Sequence, residues 1–396
     1  MSWPLVNLES VAHINPRLPK GTDESQVVTF LKMASVSEGG ELLEQEKRIL
    51  SETKKGFTYF EKDDVLLAKI TPCFENGKAA LLDDLETPLG FGSTEFHVLR
   101  AAEGKLDSKY LFHLVWNEEF RFLGKHAMKG AAGQQRISTD FLKNLKIPLP
   151  PLETQKQIAA VLEKADQLRK DCQQMERELN GLAQSVFIDM FGDPVTNPKG
   201  WDKCSIGDIT SKVTDGEHQT PKRTDSGYKL LSARNIQHGH LDVVNEKVDY
   251  VGEDEFKRIT KRLVIEKSDV LLSCSGTIGR AALNTLDEPF CLVRSAAVIR
   301  LLQEFMLPEF LVGYLGTSYM QAVMHHEANS SGQPNLFQNQ IKKLKVYTPP
   351  IELQEGFKVF LEHQKIELLN LKCLKSEYDE AFNSLMQKAF KGELNL

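Results

Sequence analysis

A stretch of 26 residues occurs twice in this chain, 199 positions apart, and that self-similarity limits the architecture before any single element is assigned. GQQRISTDFLKNLKIPLPPLETQKQI runs from Gly133 to Ile158 and GQPNLFQNQIKKLKVYTPPIELQEGF from Gly332 to Phe357, with nine identities and no gap. The identities include Lys143 and Lys342, Leu145 and Leu344, both Pro-Pro pairs, and Gln155 and Gln354. Upstream, DVLLAKITPCFENGKAAL (Asp64 to Leu81) is echoed by DVLLSCSGTIGRAAL (Asp269 to Leu283). Solenoid units repeat every roughly 20–50 residues, so this period means a duplicated domain pair with approximate two-fold symmetry inside one chain. The expected class is α+β: two similar α/β domains over 1–149 and 200–348, joined by two long antiparallel helices in segments 150–199 and 349–396.

The helices are read from apolar spacing. Val161, Ala165, Leu168, Cys172, Met175, Leu179, Leu182 and Val186 alternate steps of four and three, a heptad seam. The second copy offers Phe357, Leu361, Leu368, Leu371, Tyr378, Phe382, Leu385 and Ala389, interrupted at Gln364 and Lys375. Thr154 and Gln157 have capping-box spacing, but Leu353 and Gly356 replace them in the second copy. Phe191-Gly192-Asp193-Pro194 is a plausible stop. A helix of ~37 residues is ~55 Å long at 1.5 Å per residue. It packs either on its own domain or against the other copy, and the length of the seam favours an antiparallel pair. Strands are expected at Asp64 to Ile70, Phe96 to Leu99, Tyr228 to Leu231, Val270 to Leu272 and Ala297 to Leu301.

The usual signatures of chemistry are missing. There is no GxGxxG, GxxxxGK[ST] or HExxH, and no Asn/Asp-Pro-Pro-aromatic tetrapeptide of the kind by which DNA methyltransferases hold an extruded base. The six cysteines are scattered without a CxxC pair, as buried thiols of a reducing compartment would be. His238-Gly239-His240 could ligate a metal, and Asp63-Asp64 or Asp107-Ser108-Lys109 could seed a nuclease centre. Neither set has its complement of ligands nearby, so no metal and no catalytic residue is expected. Ser273 to Arg280 is either an anion cradle or a tight strand-to-strand turn presenting Ser275, Thr277 and Arg280. A net charge of −6 argues against bulk coating of nucleic acid but permits a local basic groove. No apolar run reaches membrane-spanning length and the start lacks a signal peptide, so a cytoplasmic location is expected.

IPLPPLETQKQIAAVLEKADQL (Ile147 to Leu168), MFGDP (Met190 to Pro194), DVLLSCSGTIGRAAL and GQPNLFQNQIKKLKVYTPPIELQ together resemble the specificity subunit of type I restriction-modification systems. The resemblance runs over nearly the whole chain: target-recognition domain, central helix, second target-recognition domain, C-terminal helix. It implies a non-catalytic subunit that reads a bipartite DNA target, one half-site per domain, with the helices fixing the spacer. Two methylation subunits, themselves binding S-adenosylmethionine, would dock on the helices, and restriction-motor subunits would join for cleavage; the chain itself would bind no cofactor. The first copy departs from the SGTIGR form at Lys69 to Lys78. Alternatives are a methyltransferase or nuclease with an unrecognised site, and a coiled-coil scaffold that does not read DNA.

Candidate DNA contacts lie in the Gly-punctuated loops. They are Lys69, Asn76 and Lys78 in the first domain, and Arg223, Arg234, Asn235, Ser275, Thr277 and Arg280 in the second. The two Gly-Gln loops add Gln134, Gln135, Arg136, Gln333 and Asn335. Arg suits guanine edges and phosphate, Asn and Gln suit adenine, and Ser or Thr suit either. Each has an ordinary alternative as solvated surface, or as a partner for loop backbone.

Overall fold

The computed structural model describes residues 3–131, 133–328 and 334–394. The chain divides into two compact units, Met1–Gln173 with Cys373–Leu396, and Gln174–Lys372. Each unit therefore holds one globular domain and a part of both long helices, so the helical segments are not separate domains. The reason is packing: a single helix stripe cannot bury itself, and each half-helix completes a domain core.

In the first unit a four-stranded antiparallel sheet is ordered Ala12–Ile14, Phe96–Ala101, Val65–Ala68, Ala79–Leu81. A second sheet is ordered Glu46–Ile49, Val27–Leu31, Leu89–Gly92, Thr58–Glu61, its middle pair parallel. The second unit repeats the first sheet as Thr210–Asp215, Ala296–Leu301, Val270–Ser273, Ala281–Leu283. Its other sheet differs: Arg223–Thr224 is added at one edge, beside Asp249–Val251, Tyr228–Leu231 and Phe290–Leu292.

The two DVLL strands are apolar without alternation because both their faces are covered. Val65 and Leu67 face the helices while Leu66 faces the second sheet, and Val270, Leu272 and Leu271 repeat this. The aspartate ahead of each strand is buried. Asp64 accepts both arms of the Arg100 guanidinium at 2.7 and 2.8 Å, and Asp269 accepts Arg300 twice at 2.8 Å. Asp64 is thus a structural anchor and not a nuclease ligand, and Asp107 caps the Ser108–Trp116 helix by accepting the Tyr110 N–H.

The long helices span Leu152–Phe191 and Ile351–Lys391. The first ends where expected, with Gly192 at φ +84° accommodating the reversal; it begins ahead of Thr154, which lies inside its first turn. In the first unit Ile158, Ala159 and Leu162 meet Phe382, Met386 and Ala389 in one core, and Arg169 donates to Asp379 at 2.6 Å. In the second unit Phe187 packs on Phe357 with ring centroids 5.3 Å apart, and the buried Gln364 amide donates to the Leu179 carbonyl. Rising numbers on one helix meet falling numbers on the other in both units, so the helices are antiparallel there.

The first-helix seam differs from the heptad expectation. Leu168, Met175 and Leu182 are 39%, 52% and 41% exposed, while Val161, Leu179 and Val186 are half-buried. Of the expected seam Cys172 is buried, and other buried positions include Gln155, Ile158, Leu162 and Asp166. Gln155 and Asp166 are polar and are buried because specific partners satisfy them, which an apolar count cannot register. On the second helix Leu371 and Phe382 are buried and Leu361, Leu368, Tyr378 and Leu385 half-buried, with Gln364 filling the gap in the pattern.

Candidate nucleic-acid interface

The turn after each DVLL strand is laced to the Gly-Gln loop some 65 residues later in sequence. In the first unit Lys69 N–H donates to the Glu95 carbonyl, Ile137 N–H to the Lys69 carbonyl, and Ile70 bridges Arg136. In the second, Cys274 N–H donates to the Ser295 carbonyl, Leu336 N–H to the Cys274 carbonyl, and Ser275 bridges Asn335. The same hydrogen bonds thus recur, and they make Glu95 the counterpart of Ser295 and Arg136 that of Asn335. Each turn also leans on a short 3-10 segment, Met33–Ser35 or Ala233–Asn235.

Most first-unit candidates are already engaged. Asn76 Nδ2 donates to Glu38 at 2.8 Å and Lys78 Nζ to the Met33 carbonyl at 3.4 Å. Gln135 N–H donates to Thr71 Oγ1 at 3.2 Å. Lys69 lines a cleft with Arg17, Lys54, Tyr59 and His97. Gln134 is exposed, and its carbonyl accepts Arg136 Nη1 at 3.2 Å. Arg136 also forks onto Glu95, Nε and Nη2 each at 2.9 Å, and this holds the Glu95 carboxyl below the usual carboxylate range.

In the second unit the Ser273-to-Arg280 stretch is a strand-to-strand turn and not an anion cradle. The Ser273 hydroxyl is spent inside it, donating to the Thr277 carbonyl and accepting the Arg280 N–H. Gly276 and Gly279 take φ of +77° and +91°, which a side chain would strain. Thr277 Oγ1 donates to the Ala233 carbonyl at 3.5 Å, and Arg280 Nη1 to Gln237 Oε1 at 2.9 Å. Gln237 Nε2 reaches the Arg234 carbonyl at 2.9 Å, and Arg234 Nε reaches Ser232 Oγ at 3.1 Å. Arg234, Thr277 and Arg280 are therefore brought to one edge, together with Ser275 and Asn335. His238 stands beside them, its imidazole pushed below its ordinary range by burial and by Arg280.

Asn235 does not belong to that edge. It is 1% exposed, its Nδ2 donating to the Asp242 and Lys247 carbonyls and its Oδ1 accepting the Ser232 N–H. A buried amide with its hydrogen bonds satisfied holds a loop and has none to offer a base. Arg223 lies on the added edge strand, paired with Asp249 at 3.1 Å. Gln333 falls outside the described residues. Sequence reasoning missed Glu95 and Gln237, the residues that orient Arg136 and Arg280; neither pairing has a local spacing signal, because each joins loop segments about 40 residues apart in sequence. Among the described residues no group of His, Cys, Asp or Glu could hold a metal ion, and no helix is long and apolar enough to cross a membrane.

A family model described as the type I restriction modification DNA specificity domain matches residues 2–179 and again 198–387. The chain is 36% identical over 179 residues to the type I restriction enzyme EcoEI specificity subunit of Escherichia coli, covering 44% of this chain and 29% of that protein. It thus spans less than a third of that relative's length. To the putative type I restriction enzyme MjaX specificity subunit of Methanocaldococcus jannaschii it is 26% identical over 303 residues, 74% of this chain and 69% of that protein. The fold resembles a chain from a structure on complex assembly and conformational transition of the type I R-M system, with TM-score 0.64, 18% identity and coverage of 99% and 98%. It also resembles the type I restriction-modification S subunit from M. genitalium, with TM-score 0.56, 15% identity and coverage of 98% and 96%.

Proposed function

This chain belongs to the type I restriction modification DNA specificity family, and from that membership we propose that it is the non-catalytic subunit that reads a bipartite duplex target for a methylating and restricting complex. Two family domains in one chain, each folded together with parts of both long helices, carry the proposal. Each globular domain reads one half-site through the edge where its DVLL turn meets its Gly-Gln loop. Methylation subunits, holding S-adenosylmethionine, transfer the methyl group, and restriction-motor subunits join them for cleavage.

The helix lengths support a ruler. At 40 and 41 residues they run about 60 Å at 1.5 Å per residue, enough to span more than one duplex turn of roughly 34–36 Å. A rigid rod holds spacing as a flexible linker cannot. Met175 and Leu182, exposed one heptad apart on the part of the first helix within the second unit, suit docking of a methylation subunit.

The test is selection from a randomised duplex library by the chain reconstituted with its methylation subunits. The expected product is two fixed half-sites at one spacing. One heptad inserted between Leu168 and Leu182, matched on the antiparallel stretch, should change the spacing and leave both half-sites intact. Recovery of the original spacing would refute the ruler, and methylation by this chain alone would refute the non-catalytic role.

A further inference from the structure

We infer that Arg136, held by Glu95, reads a guanine in the half-site of the first unit; this rests on the proposed DNA-reading role. The guanidinium has five N–H donors. Nε and one hydrogen of Nη2 go to the two Glu95 oxygens at 2.9 Å each, and one hydrogen of Nη1 goes to the Gln134 carbonyl at 3.2 Å. One N–H then remains on each terminal nitrogen, a two-pronged donor suited to the O6 and N7 acceptors of guanine in the major groove. Arg136 is 43% exposed and Glu95 28%, so the fork stands at the surface with its direction already fixed.

Charge separates a base from a phosphate as the target. A guanidinium bound by a carboxylate on two bonds is a pair of net charge zero, and a phosphate brought to it would lie close to the Glu95 oxygens. A guanine edge carries acceptor atoms without net charge, so it gains both remaining hydrogen bonds without that repulsion. The second unit has no such fork, because Ser295 and Asn335 occupy the equivalent places. Glu95 is therefore a positioning residue, acting on the base through Arg136.

Library selection and salt titration by the reconstituted methylation complex test this, using wild type, Arg136→Ala, Arg136→Lys and Glu95→Gln. At one G·C position in one half-site, Arg136→Ala and Arg136→Lys should lose discrimination by roughly 5- to 150-fold. Glu95→Gln should weaken preference at that same position, while the rest of the target is selected as before. The slope of log K on log salt should stay unchanged in Arg136→Ala, since a residue that contacts no phosphate releases no counterion. A slope reduced by about 0.9 with base preference intact would assign Arg136 to phosphate and overturn the inference. So would unaltered selection at every position in Arg136→Ala, and so would loss of a base other than guanine. If the wild-type complex selects no sequence at all, the DNA-reading role itself fails; a selective wild type with an indifferent Arg136→Ala defeats the guanine assignment alone.

Discussion

The side-chain oxygen of Gln155 accepts the backbone N–H of Asp107 at 2.8 Å, tying the start of the first long helix to the loop that opens the Ser108–Trp116 helix. Its amide donates to the Lys105 and Pro150 carbonyls at 3.0 and 2.9 Å. Gln354 repeats the arrangement, accepting Leu307 N–H at 2.9 Å and donating to Pro349 at 2.8 Å. The residue repeated after each Pro-Pro is thus a buried bracket between helix and domain.

Gln155→Ala and Gln354→Ala should each destabilise the chain by about 2 kcal/mol, because the backbone groups bound to these buried amides lose their partners. Urea unfolding of the full chain measures this. Midpoints unchanged from wild type would show that the loops re-satisfy those groups.

Breaking the Asp64–Arg100 pair should also cost stability. Asp64→Ala leaves the Arg100 guanidinium, 26% exposed, with Glu61 at 2.8 Å as its remaining carboxylate, an expected loss of about 3 kcal/mol, the low end for a broken buried pair because Glu61 and water still reach Arg100. Asp64→Ala should be matched by Asp269→Ala in size, and each should leave base preference intact in whatever complex still assembles. A change of preferred base without loss of stability would contradict the anchoring role.

Acid should weaken the first unit through His113. Burial, with Lys109 and Lys170 nearby, pushes this imidazole down to about 3, and its Nδ1 has no hydrogen-bond partner among the described residues. The unfolded chain takes up the proton near pH ~6.5 and the folded chain does not, so stability present above that value falls as pH drops toward 3. The slope approaches about 1.4 kcal/mol per pH unit for one group. His113→Leu should remove about 2 kcal/mol of the stability change measured between pH 7 and 5, since the full slope is reached only well below pH ~6.5, leaving the effect of His97, which burial also lowers. Equal slopes in wild type and variant would rule His113 out.

Arg280→Ala should weaken DNA binding by the assembled complex. Its Nη1 is held by a neutral amide, Gln237 Oε1, at 2.9 Å, so unlike Arg136 it keeps its full positive charge. A uniform loss across sequences with a salt slope smaller by about 0.9 is therefore expected. Binding curves on target and random duplex at several salt concentrations give the answer, and unchanged affinity on both would remove Arg280 from the interface.

Legibility followed the physics of each feature. The DVLL runs were plain as strands because strands covered on both faces are continuously apolar. The helix stop at Gly192 was plain because glycine tolerates its backbone turn. The first-helix seam was misplaced at Leu168, Met175 and Leu182 because Gln155 and Asp166 occupy buried positions that hydrophobic spacing assigns to solvent. At the candidate interface the loops were legible from their glycines and repeats. The fate of individual side chains was not: Asn235 turned inward to Asp242 and Lys247, and Arg136 turned to a glutamate 41 residues away in sequence.

The first unit is discontinuous along the chain, with Trp3 Nε1 donating to the Ala389 carbonyl at 3.1 Å. On the ribosome, residues 174–372 form a contiguous stretch that can close as soon as it has emerged. The module begun first must wait for Phe382, Met386 and Ala389 before its core is filled. Translation therefore finishes the later-encoded module earlier, and a stalled or truncated product would leave the amino-terminal one open, with Ile158 and Leu162 uncovered.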